Sequence, residues 1–148
     1  MKIKEIMSKK LITCDPDDNI LFVSNLMNAW DVGFLLIMEK DKLFGVVTDR
    51  DLVCDMANQL SQIKSYASKK VITIDQDKDV IDALKLMKKH KIKRLVVTKN
   101  KDIIGVLSLS DILNTNEYDK DILDTIKTIY EINRNDNYFN ADVHDFPL

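Results

Sequence analysis

Short apolar runs punctuate this chain, and between them apolar residues recur every three or four positions. Leu11-Ile12-Thr13-Cys14 is a β-type run that ends at Asp15. Asn19, a good N-cap type, then opens a predicted helix in which Ile20, Val23 and Met27 share one face. Phe34-Leu35-Leu36-Ile37-Met38 is apolar without interruption, which predicts a strand buried on both sides. The polar connection Glu39-Lys40-Asp41-Lys42 returns the chain as a hairpin into Leu43-Phe44-Gly45-Val46-Val47. A second helix begins around Asp49, with Leu52 and Val53 as its first apolar residues. Because residues 57–62 contain neither Gly nor Pro, this helix is predicted to run on into the linker.

The same pattern then returns. Residues 3–53 align without a gap on residues 63–113, at a constant offset of sixty, through pairs such as Ile12/Ile72, Thr13/Thr73, Asp15/Asp75, Met27/Met87, Leu35/Leu95, Gly45/Gly105 and Asp51/Asp111. Asp79 stands at the second N-cap, before Val80, Ala83, Leu84 and Met87, and Arg94-Leu95-Val96-Val97-Thr98 and Ile103-Ile104-Gly105-Val106-Leu107 form the second hairpin. The chain therefore reads as an α/β protein made of two β-α-β-β-α copies, residues 1–60 and 61–116. Each copy is expected to bury an apolar face against the other, with a ligand cleft at the seam. The glycines at matched places inside strands signal a bulge or the close approach of another backbone or a ligand. Residues 117–148 carry eight acids against Lys120, Lys127 and Arg134, with Ile122, Leu123, Ile126, Ile129 and Tyr130 on one helix face and a Tyr138-Phe139 pair beyond. This C-terminal helix and polar tail should dock on its own module or on a neighbour, near the basic helix at residues 85–91.

Composition narrows the function classes. At 148 residues, 45% hydrophobic and 31% charged, the chain can bury a substantial core, and its longest apolar run, residues 34–38, is far too short to cross a bilayer. With no signal-peptide pattern at the N-terminus, the default location is cytoplasmic. A net charge of −2 exerts no general pull toward nucleic acid or anionic membrane. The lysines around residues 85–91 lack the interleaved aromatics of a nucleic-acid surface, so such a partner is disfavoured. Cys14 and Cys54 face Ile74 and Asn114 in the alignment and read as structural thiols. His90 and His144 stand apart without ligand-type neighbours and read as surface residues rather than a metal site.

The residues with chemical content are Thr48-x-x-Asp51 and Ser108-x-x-Asp111. A hydroxyl followed three residues later by an acid, at the start of an apolar helix, is a capping-box signature, and spacing alone favours that structural role. The same carboxylate near a helix start can also accept both hydroxyls of a ribose.

In Gly45-Val46-Val47-Thr48-Asp49-Arg50-Asp51-Leu52 and Gly105-Val106-Leu107-Ser108-Leu109-Ser110-Asp111-Ile112, preceded by Thr13-Cys14-Asp15 and Thr73-Ile74-Asp75, the chain resembles a tandem pair of CBS domains, a Bateman module. The resemblance covers residues 3–113. It implies two repeats related by a pseudo-twofold axis, clefts that bind adenosine-containing ligands such as AMP, ADP, ATP or S-adenosylmethionine, and assembly into a homodimer. On that resemblance Thr48, Asp51, Ser108 and Asp111 are the ribose-side residues. Arg50, Lys93 and Arg94 become the phosphate candidates, as charge-assisted donors. Lys93 and Arg94 would serve the ligand anchored on Asp51, and Arg50 the one anchored on Asp111. Ile12, Thr13, Cys14, Ile37, Ile72, Thr73, Ile74 and Val97 would wall the adenine pockets, although ordinary core packing explains those side chains equally well.

Two departures make the sites unequal: Gly33 and Phe34 stand opposite Lys93 and Arg94, and Ser110 stands opposite Arg50. Leu36 and Val96 also replace the proline that many family members carry. With no nucleophile–base pair, metal cluster or glycine-rich phosphate loop in the sequence, the expectation is a non-catalytic sensor that relays occupancy to its dimer interface or to a client protein. The alternative is a ligand-free interaction scaffold, and catalysis is the least favoured reading.

Overall fold

Three strands, each copy in the same order, build two separate sheets. The computed structural model describes residues 1–53 and 56–131, excluding the side chain of Met56. Within them the order is α1 (Ile3–Ile6), β1 (Thr13–Cys14), α2 (Ile20–Trp30), β2 (Phe34–Glu39), β3 (Lys42–Thr48), α3 (Asp49–Val53), β4 (Thr73–Asp75), α4 (Val80–His90), β5 (Arg94–Lys99), β6 (Asp102–Ser108), α5 (Leu109–Leu113) and α6 (Asp119–Glu131). Short 3-10 turns lie at Met56–Asn58 and Ile63–Tyr66. In the first sheet β1 runs parallel to β2, with Thr13 opposite Leu36, and β2 runs antiparallel to β3, with Phe34 opposite Thr48. In the second, β5 and β6 are antiparallel with Arg94 opposite Ser108. The α/β class and the doubled element order match the sequence pattern. The leading strands are shorter than the apolar runs that predict them.

The chain forms two units, one of Lys9–Thr73 and one of Met1–Ser8 together with the chain from Ile74 onward. In the first, Val46 and Ser68 exchange backbone hydrogen bonds of 3.0 and 2.8 Å, extending the sheet beyond β3. In the second, Ser8 and Val106 do the same at 2.9 Å each, beyond β6. The matched glycines make these approaches possible. A Cβ at Gly45 would stand 2.8 Å from the Ser68 carbonyl oxygen, and one at Gly105 would stand 2.6 Å from that of Ser8. A bulge also falls beside each glycine, because Ile37 pairs with Gly45 and Met38 with Leu43, as Val97 pairs with Gly105 and Thr98 with Ile103.

The first core gathers Ile20, Val23 and Met27 of α2 with Leu35 and Ile37 of β2, Val47, Leu52 and Ile63. Leu35, Leu36 and Ile37 are all buried, so β2 is covered on both faces as its uninterrupted apolar run requires. In the second unit Val80, Ala83, Leu84 and Met87 of α4 are buried, as are Leu95, Val96, Val97 and Leu107. The two hairpins turn through left-handed residue pairs, Lys40-Asp41 and Asn100-Lys101, whose twist suits a two-residue connection.

Two local expectations are corrected. Asn19 caps α2, its side chain accepting the Phe22 N–H at 2.8 Å, but Asp79 makes no such bond to α4. Its carboxylate instead pairs with Lys2 Nζ at 3.1 Å. Residues 57–62 do not prolong α3 as an α-helix. The Gln59 and Ser61 carbonyls accept the N–H groups of Leu21 and Ile20, at 3.0 and 3.1 Å, satisfying donors that a helix start leaves open. Continuing the helix would withdraw those acceptors. In the second unit the Met1 carbonyl serves Val80 N–H in the corresponding way, at 3.1 Å.

The C-terminal helix α6 packs on α4 and α5 of its own unit, burying Ile122, Thr125 and Ile129. The Thr125 hydroxyl donates to the Asp121 carbonyl at 2.7 Å, so its burial leaves no open donor. Leu123 and Tyr130, predicted on the apolar face, are about half exposed. Lys88 of α4 pairs with Asp124, joining the acidic segment to the basic helix. No helix among the described residues is long and apolar enough to cross a membrane. Cys54, His144 and the Tyr138-Phe139 pair lie outside the described residues.

Candidate ligand-binding site

Each unit places a hydroxyl and a carboxylate where the last strand of its sheet gives way to a short helix. In the first unit Thr48 donates its backbone N–H at 2.8 Å and its hydroxyl at 2.9 Å to Asp51 Oδ2. In the second unit Ser108 donates the same two groups to Asp111 Oδ2, at 2.7 and 2.6 Å. Asp111 N–H returns a bond to the Ser108 hydroxyl at 3.1 Å, completing the reciprocal capping box. The capping box is thus complete at Ser108–Asp111, whereas at Thr48–Asp51 only the half in which the aspartate reaches back to the Thr48 N–H is formed.

It does not exhaust the carboxylates. Both bonds in each unit end on Oδ2, and among the described residues Oδ1 of Asp51 and of Asp111 takes no hydrogen bond. An ionised carboxylate has about four acceptor positions. Each aspartate is thus held in orientation by one oxygen while the other can accept a further donor. Both are half-buried, which favours directional bonds over full hydration.

The adenine-wall candidates divide by exposure. Ile37 and Val97 have no accessible surface, and Cys14 and Ile74 are buried, so all four are core in this conformation. Ile12 and Ile72 are half-buried, and Thr13 and Thr73 are exposed. In the first sheet Thr13 lies two residues along from the Phe34–Thr48 row, about 7 Å at the usual strand rise, so it shares an end of the sheet with Thr48. Burial pushes the Cys14 thiol up to about 12, with Asp18 and Asp15 adding to the effect, so it is no nucleophile at neutral pH.

The basic candidates are all exposed. Arg50 follows Asp49, whose Oδ1 accepts the Arg50 N–H at 2.8 Å. Arg94 lies across the strand pair from Ser108, and the Lys93 carbonyl accepts the Leu109 N–H at 2.9 Å. The second unit therefore brings Lys93 and Arg94 to the helix start that carries Ser108 and Asp111. Two partners escaped the sequence reading. Ser110, noted there only as lacking the charge of Arg50, has its hydroxyl 2.7 Å from that of Ser108. Tyr130, counted on the apolar face of α6, accepts a 2.6 Å hydrogen bond from Lys93 Nζ. No periodicity signals a pairing across 37 residues. Among the described residues no group of three or more His, Cys, Asp or Glu could hold a metal ion.

A duplicated β-α-β-β-α unit with a capped carboxylate at each strand-to-helix turn defines a tandem small-domain module. The CBS-domain family model matches residues 3–57 and 63–117, and the chain belongs to that family. It is 32% identical over 117 residues to the uncharacterized protein YlbB of Bacillus subtilis, covering 75% of this chain and 79% of that one. It is 29% identical to the inosine-5'-monophosphate dehydrogenase of Methanocaldococcus jannaschii, over 79% of this chain but only 24% of the enzyme. Among solved structures, the CBS domain pair of protein MJ0100, in complex with 5'-methylthioadenosine and S-adenosyl-L-methionine, superimposes with a TM-score of 0.72. That match is 24% identical and covers 81% of this chain and 98% of the other, a likeness of fold.

Proposed function

We propose that the chain is a non-catalytic regulatory module that binds adenosine-containing ligands, AMP, ADP, ATP or S-adenosylmethionine, and signals their presence to its own dimer interface or to a client protein. The observation that carries this reading is the pair of oriented carboxylates, each using Oδ2 for its cap and keeping Oδ1 for an incoming donor. Two ribose hydroxyls are the natural occupants. Arg50, Lys93 and Arg94 supply the positive charge for a phosphate or other anionic end. The ligands of the MJ0100 domain pair support the class of compound. The dehydrogenase relative supports a regulatory setting, since its match is confined to about a quarter of the enzyme.

Calorimetric titration of the full chain with these four compounds tests the reading. Asp111→Ala and Asp51→Ala should each weaken a site by about ten- to a hundredfold, the 1.5–3 kcal/mol of hydrogen bonds to a charged group. Because both variants also lose cap bonds, binding is measured well below their unfolding temperatures. A parent chain that binds none of the four would favour the ligand-free scaffold instead. Unchanged binding by the double variant would remove the ribose assignment.

A further inference from the structure

We propose that helix α6 is an autoinhibitory strap: docked on its own unit, it withholds the Lys93 ammonium through Tyr130, and an anionic ligand must displace that contact to bind. The proposal rests on the adenosine-ligand reading, which already gives Lys93 to the ligand, and adds a control on that lysine from outside the family pattern. The family model ends at residue 117, whereas α6 begins at Asp119. In the first unit Gly33 occupies the position of Lys93, and among the described residues only short 3-10 turns follow α3. The control therefore acts on one copy.

Tyr130 engages the lysine twice, with Nζ 2.6 Å from the phenol oxygen and 4.7 Å from the ring centroid. The Lys93 backbone is tied separately, its carbonyl accepting the Leu109 N–H at 2.9 Å, so the side chain alone decides where the charge goes. A phenol is a neutral acceptor. A phosphate or carboxylate forms the stronger, charge-assisted bond, so an anion can take the ammonium from Tyr130.

Charge and packing both set a docked α6 against a bound anion. The helix is acidic, with Asp119, Asp121, Asp124 and Glu131 against Lys120 and Lys127, and Asp124 pairs with Lys88 of α4. An anion on Lys93 would offset the positive charge that holds the last turn of α6, a turn that ends in Glu131. The dock is also light. Only Ile122, Thr125 and Ile129 of α6 are buried, while Leu123 and Tyr130 are 53% and 47% exposed. A segment with so few buried side chains is the kind that opens without the rest of the unit unfolding. By linkage, docking of α6 weakens anion binding, and anion binding loosens α6 by the same factor.

The test measures AMP and adenosine binding to the full chain by calorimetry, and amide exchange along α6 with and without AMP. Tyr130→Ala removes the contact on Lys93, and Ile129→Ala loosens the helix without changing its charge. Both should bind AMP about five- to tenfold more tightly than the parent, the lower end of ordinary coupling between sites, with adenosine affinity unchanged. In the parent, saturating AMP should speed exchange at Ile126–Tyr130 by a similar factor, and adenosine should not. Unchanged or weaker AMP binding by either variant overturns the strap, as does an equal gain for adenosine, which would show that α6 acts on the whole fold. If AMP and adenosine bind the parent through Asp111 while the variants behave as the parent, the strap fails and the adenosine reading stands. If neither compound binds the parent, that reading fails, and sodium phosphate decides the strap alone. Saturable acceleration of α6 exchange by phosphate in the parent, absent in Lys93→Met, supports it; no acceleration overturns it.

Discussion

Alanine in place of Gly105 places a Cβ 2.6 Å from the Ser8 carbonyl oxygen, inside the 3.0 Å below which Cβ atoms are essentially never found. The obstacle is backbone, and that backbone is already engaged: Ser8 and Val106 exchange two hydrogen bonds of 2.9 Å. Moving Ser8 away sacrifices both, at about 1 kcal/mol net each. A strand alanine recovers about 0.5–1 kcal/mol of unfolded-chain entropy, since Gly105 has no positive φ that alanine would find strained. The balance is a loss of about 1–1.5 kcal/mol. In urea, with a slope of about 1–3 kcal/mol per molar, the unfolding midpoint should fall by about 0.3–1.5 M. Amide exchange should accelerate at Ser8 and Val106 before it does in the first unit. Gly33→Ala is the control, because its new Cβ meets the exposed Asp49 carboxylate at 2.7 Å, which can rotate away. That variant should stay within about 0.5 kcal/mol of the parent. Equal midpoints for Gly105→Ala and the parent, with Ser8 and Val106 as well protected as before, would refute the argument from close approach.

Ile3, fully buried in the lead segment of the second unit, should cost about 2–5 kcal/mol when replaced by alanine, with exchange rising first in α4 and β6. Asn19→Ala should lower thermal stability by about 1 kcal/mol through loss of the α2 cap, whereas Asp79→Ala, which removes only an exposed ion pair, should cost about 0.5 kcal/mol or less. Cys14 predicts an alkaline limb: its folded pKa is raised from an ordinary 9.0 to about 12, so its contribution is intact below pH 9.0 and is lost as pH rises toward 12. In a Cys54→Ser background the urea midpoint should therefore drop across that window, and Cys14→Ala should flatten the drop; an equal slope in both chains would count against a buried thiol.

What the sequence disclosed, and what it withheld, follows from the range of the forces involved. The apolar run of β2, the helical spacing of Ile20, Val23 and Met27, and the matched glycines are local patterns, and each became the predicted element or close approach. Residues 57–62 misled because their conformation is set by the open N–H groups of Ile20 and Leu21 rather than by their own propensity. Asp79 failed as a cap because Lys2, distant in sequence, supplies a partner for its carboxylate. At the candidate site, Thr48-x-x-Asp51 and Ser108-x-x-Asp111 were legible as motifs, but only the structure shows the cap bonds converging on a single oxygen of each aspartate.

The same distinction between local and distant explains why the two copies diverged in character without diverging in fold. Their strands and helix starts are specified twice by equivalent residues, so both sheets form alike. Their surroundings are specified once. The helix α6 exists in a single copy and packs on α4 and α5, leaving Ile81 half-buried, while its counterpart Leu21 is 43% exposed on α2. The substitutions that change charge, Gly33 to Lys93 and Arg50 to Ser110, fall at the edge of each carboxylate turn rather than within the cores. Arg50, Lys93 and Ser110 are exposed, and exposed positions carry few packing constraints, so their charge differs without disturbing either sheet. Fold was thereby held constant while the chemistry offered to a ligand became different in each copy, which predicts two sites of unequal affinity rather than two equivalent ones.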